Sequence, residues 1–105
     1  MDIRYADTFI KKFVGLLGTK AFPEYDGLFF SGTACIHTFF MHYAIDILYL
    51  NKEYVVRKIA RDVKPFHISW GTADSCSVVE MKSGAAKEKN IHIGDIIHVE
   101  DKRDG

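Results

Sequence analysis

What this chain lacks narrows it first. It has two cysteines in 105 residues. Cys35 and Cys76 stand far apart with no CxxC pair, which argues against a disulfide-stapled scaffold and a paired-thiolate zinc site. They are expected as buried free thiols in a reducing compartment. Only two prolines are present, with no low-complexity tract to serve as a linker. The chain therefore reads as one domain over residues 1–105, with a core over about 2–100 and a frayed charged tail over 101–105. No apolar run approaches the ~20 residues of a membrane span. The first residues carry no apolar leader, so a cytoplasmic protein of bacterial type is expected. Excess charge is missing too: 14 Lys plus Arg meet 14 Asp plus Glu. That balance removes the electrostatic footprint of a nucleic-acid binder. It also leaves little self-repulsion, which permits weak self-association.

What is present is a globular composition, 48% hydrophobic and 27% charged, enough for a core of its own. Ile3 and Tyr5 share a face of a short first strand. From Thr8, Phe9, Ile10, Phe13, Val14, Leu16 and Leu17 recur at helical spacing, which predicts an amphipathic helix of about three turns ending at Gly18. Pro23 and Asp26-Gly27 mark a loop into a strand at Leu28–Phe30. The stretch Ile36–Asn51 (IHTFFMHYAIDILYLN) is the densest in apolar and aromatic residues. It reads as two interior strands broken near Tyr43-Ala44. A partly exposed strand over Tyr54–Val63 follows, then a loop over Pro65–Ala73 holding Trp70. Next come a strand over Ser75–Lys82, a helical turn near Ala85–Lys89 and a last strand toward Glu100. The fold class is mainly β (α+β): a small sandwich or barrel of six to seven strands with one N-terminal amphipathic helix.

Six motifs fall in order: GLL (Gly15–Leu17), GLFF (Gly27–Phe30), IHTFFM (Ile36–Met41), IDILYLN (Ile45–Asn51), VVEMKSG (Val78–Gly84) and Gly94-Asp95. In combination they resemble the bacterial and archaeal family known as domain of unknown function 192, over about Asp7–Glu100. The resemblance implies a compact β-rich fold with one helix, and no established biochemical activity.

The chemistry-bearing residues are the polar ones set among apolar strands. Ionised carboxylates in such surroundings cost several kcal/mol unless paired, so Asp46 and Glu80 need partners or water. One reading gathers them with His37 into a polar pocket at the rim of the β-core. The other makes Asp46 a structural anchor for backbone amides. Cys35, His37 and Met41 alternate along one strand and offer soft donors. They lack paired ligand spacing, so no metal and no cofactor is assigned. Phe22, Tyr54, Phe66 and Trp70 are candidates for an exposed binding surface. The ligand-binding candidates are therefore His37, Met41, Asp46, Glu80 and Trp70. The leading expectation is a non-enzymatic module binding a small ligand or a partner segment. One alternative is a hydrolase-like enzyme using His37 as base and Asp46 to orient it. Another is an accessory protein of a membrane or surface assembly, acting through the Tyr54–Val63 edge.

Overall fold

In IDILYL, Asp46 is the one polar exception to a strand apolar on both parities. Such a strand needs hydrogen-bonding partners on both edges and cover on both faces. The computed structural model describes residues 1–6 and 21–99 and supplies both. The described residues form β1 (Ile3–Tyr5), β2 (Gly27–Ser31), β3 (Cys35–His37), β4 (Ile45–Leu50), β5 (Val56–Val63), β6 (Ile68–Trp70), β7 (Ser77–Lys82) and a short helix α1 (Ala85–Glu88). Five strands make one sheet in the order β1-β2-β7-β4-β5, and β3 with β6 makes a separate ribbon. All pairings are antiparallel except β1 with β2. β4 lies between β7 and β5, and every one of its residues is buried.

Alternation sorts the side chains onto two faces. On one, Phe29, Leu48, Leu50, Val79 and Met81 pack with Ala85 and Ala86 of α1 and with Ile91 and Ile97. On the other, Leu28, Phe30, Ile45, Ile47, Tyr49 and Val78 pack with Met41, and Ile36 of the ribbon leans on them. The ribbon is tied down by polar contacts. The Tyr49 hydroxyl donates to Ser69 Oγ at 2.9 Å. Lys58 Nζ donates to the Trp70 carbonyl and lies 5.7 Å from the Tyr49 ring centre. Gly71 lets the chain pass here: a Cβ on it would stand 2.6 Å from Tyr49 Cδ1 and 2.5 Å from Ser75 Oγ.

The mainly β class, with seven strands and a short helix, matches the sequence expectation. The barrel does not, because β1 and β5 remain the two edges of an open sheet. The helix expected from Thr8 to Leu17 lies outside the described residues. Ile36–His42 is not an interior strand. Only Cys35–His37 pairs, and residues 38–44 turn the chain back instead. Both cysteines are exposed rather than buried. Trp70 sits in a strand, not in a loop. The last expected strand is reduced to one bridge, Val55 with Ile96.

Candidate functional site

Asp46 lies on the α1 side of the sheet. β5 carries one extra residue here: Ile45 pairs with Val63 but Ile47 with Ala60, so Arg61 and Asp62 together oppose Asp46. Such a bulge strips an amide of its ladder partner. Asp46 Oδ1 accepts that amide, from Asp62, at 2.9 Å. Oδ2 accepts the Gly84 amide at 3.1 Å and the Ala86 amide at 3.0 Å. Those two amides belong to the start of α1, whose N-cap residue is Gly84 and brings no side chain of its own. At 1% exposure, Asp46 is a clasp joining β4, the β5 bulge and the β7–α1 turn.

Glu80 points the other way. Its strand partners are Ile47 and Leu28, both in the core cluster on the ribbon side. It is 6% exposed. Burial pushes its carboxyl up to about 8, so at neutral pH it is mostly an uncharged acid. Tyr25 and Tyr49 feel its charge, although burial is the larger reason that both phenols rise. Asp46 and Glu80 thus occupy opposite faces and share no pocket.

His37 is on neither. In the β3–β6 ribbon, Cys35 pairs with Trp70, Ile36 with Ser69 and His37 with Ile68. Ile36 and Ser69 face the sheet, and so the other two pairs face outward. His37 and Asp46 are therefore not brought together as a base and its orienting carboxylate. His37 Nδ1 instead accepts the Phe39 amide at 3.3 Å. Met41 is a core side chain. A groove of about 390 Å³ is lined by Phe22, Tyr25, Asp26, Lys82 and Lys89 among others, and by none of the five candidates.

The outward face of the ribbon holds four of the eight large exposed apolar side chains among the described residues: Trp70 at 60%, Ile68 at 46%, and beyond the strand ends Phe66 at 63% and Phe40 at 69%. They form a connected surface. Phe66 lies 5.7 Å from Phe40 and 6.3 Å from Phe39, which lies 5.0 Å from His37. Thr38, fully buried, bolts the two turns that present the rings. Its carbonyl accepts the Met41 and Phe66 amides, and its hydroxyl donates to the Lys64 carbonyl at 2.6 Å. Phe40 and Phe66 hold left-handed backbone, φ 66° and 63°. Of this surface, sequence reasoning named His37, Phe66 and Trp70. It missed Phe40 and Ile68; reading Ile36–His42 as an interior strand put Phe40 inside, where the structure places it in a turn.

The model of the family described as DUF192, Uncharacterized ACR, matches residues 1–99. A UPF0127 protein of Pyrococcus furiosus is 30% identical over 90% of this chain and 84% of its own length. Another, from Pyrococcus horikoshii, is 31% identical over 91% and 85%. The crystal structure of a protein of unknown function from Novosphingobium aromaticivorans superposes with a TM-score of 0.80, covering 92% of this chain and 74% of that one at 19% identity, a likeness of fold. With the family model spanning nearly the whole sequence, this chain belongs to the DUF192 family, whose function is uncharacterised.

Proposed function

We propose that this protein is a non-enzymatic binding module whose recognition surface is the outward face of the β3–β6 ribbon, with Trp70, Ile68, Phe66 and Phe40 as anchors and His37 beside them. The observation that carries this is an exposed apolar surface whose two turns are tied together by Thr38. Each aromatic ring has roughly 150–250 Å² to bury, so these four side chains leave on the order of 500 Å² of apolar area in water. That is at the upper end of the largest patch on an ordinary monomer. Folding gains little from rings that stay solvated. Left-handed backbone under Phe40 and Phe66 costs about 1–3 kcal/mol at each. Binding is where such rings return stability, because aromatic side chains dominate the hot spots of interfaces.

The test is to pan a displayed peptide library against sparsely immobilised protein, beside a variant carrying Phe40→Ser, Phe66→Ser and Trp70→Ser. We expect enriched aromatic or aliphatic segments that lose the variant and shift the emission of Trp70, the single tryptophan. Recovery of no sequence that depends on the three rings would overturn the reading.

A further inference from the structure

We infer that the partner seated on this ribbon face is a second copy of the same chain, in an isologous two-fold contact. The inference rests on the reading of the face as a recognition surface and names its occupant.

Two observations select that occupant. The first is charge. An isologous contact lays a surface against its own image, so any net charge on it faces the same sign across the axis. The outward residues here, Cys35, His37, Phe40, Phe66, Ile68 and Trp70, include no acid, lysine or arginine. Four of the charges near β6 form two balanced pairs, Lys64 with Asp62 at 2.7 Å and Arg57 with Asp74 at 3.0 Å, while the Lys58 ammonium is occupied by the Trp70 carbonyl. The whole chain is likewise neutral, 14 cations against 14 anions, so two copies approach without repulsion. The same neutrality gives a nucleic acid or an acidic peptide nothing to pair with.

The second is area. Standard interfaces cover roughly 800 Å² per partner. The four apolar anchors offer on the order of 500 Å² of that, and the exposed Cys35, His37 and His67 around them extend the surface. This is enough for a reversible dimer and too little for an obligate one, whose interfaces run larger. Thr38 holds both ring-bearing turns in place, so little ordering is left to oppose association.

Sedimentation velocity from low micromolar to near-millimolar concentration tests this on the full chain. Wild type is expected to pass from monomer to dimer, with Trp70 emission moving to the blue along the same curve. Trp70→Ala and Phe66→Ala should each weaken the dimer by roughly tenfold or more, as interface anchors do. Both side chains are solvated, so the variants should keep the wild-type unfolding midpoint. A second measurement does not depend on them: with Cys76→Ser in place, a short bismaleimide should link two chains through Cys35. A monomer at every concentration would overturn the second copy while leaving the peptide selection to judge the face itself. A dimer that survives both alanine variants, with no Cys35 link, would place the contact elsewhere and also overturn it. So would a blue shift on phosphatidylcholine vesicles without self-association, which would put lipid on the face.

Discussion

Replacing Glu80 by glutamine should flatten the dependence of stability on pH. The carboxyl lies between Ile47 and Leu28, and burial raises it to about 8 in the folded chain, against roughly 4.3 when unfolded. Between those values the native state keeps a proton that the unfolded chain has released. Folding therefore takes up a proton, and raising the pH opposes it. The contribution is complete below about pH 4.3 and is lost as pH climbs through about 8. Well inside the window the slope approaches about 1.36 kcal/mol per pH unit and it falls off toward pH 8, so wild type should lose about 2 to 3 kcal/mol between pH 5.5 and 7.5. That is a large share of the 5–15 kcal/mol that holds a domain of this size. The check is guanidinium unfolding followed by far-ultraviolet circular dichroism at half-unit pH steps, wild type beside Glu80→Gln. The neighbouring phenols Tyr25 and Tyr49 are pushed above their ordinary value of 10, and every other ionisable group is common to both proteins. Asp26, Asp62 and Asp74 are held below the usual carboxylate range, so they titrate under the window. The difference between the two curves isolates Glu80. A change of offset is immaterial and the slope decides: parallel curves, or a wild type of constant stability from pH 5.5 to 7.5, would refute the argument that this carboxyl is buried uncharged.

Asp46→Ala strands the buried Ala86 amide and the part-buried Asp62 and Gly84 amides at once and should cost about 3 kcal/mol, with amide exchange at Asp62, Gly84 and Ala86 rising first. Gly71→Ala forces a methyl against Tyr49 and Ser75, and should destabilise by about 1–3 kcal/mol in thermal unfolding. Phe66→Gly removes a solvated ring from left-handed backbone, so it should leave stability level or raise it by up to about 1 kcal/mol while weakening partner binding. Both native thiols should react with an aromatic disulfide reagent without denaturant, in contrast to buried cysteines.

The strands legible in the sequence were those whose pattern the final environment enforces. β4 reads as buried on both sides because it lies between two partners, and β7 beside it and β2 on the far side of β7 read almost as clearly. The ribbon misled for a physical reason. Cys35, His37, Ile68 and Trp70 face outward, yet three of these four are residue types that burial claims in most chains, so apolar content there stood for exposure rather than depth. Trp70 was read as a loop residue because Gly71 follows it. That glycine marks instead the close crossing over Tyr49. The candidate site was legible in its residue types and illegible in its grouping. Asp46 and Glu80 stand in adjacent strands as carboxylates among apolar neighbours. One residue of register separates their partners, since Asp46 pairs with Met81 and Ile47 with Glu80, and that single step sends them to opposite faces.

That step also divides the labour of the molecule. On the α1 side the polar exception is answered in full, since Asp46 takes an amide from each element that closes over it and leaves a sealed face. On the ribbon side burial governs Glu80, whose carboxyl is raised to about 8 and keeps its proton at neutral pH. Among the described residues, the layer above it includes the two short strands of the ribbon, held by Tyr49, Lys58 and Thr38. A core layer this thin cannot bury residues on both its surfaces, because each residue turned inward exposes its neighbours outward. Ile36 and Ser69 take the inner positions, so Cys35, His37, Ile68 and Trp70 must take the outer ones. An outer layer of polar residues would have satisfied folding alone. A tryptophan and an isoleucine stand there instead, with phenylalanines on left-handed turns at the far end, and that is why the proposed partner is placed on this side of the fold.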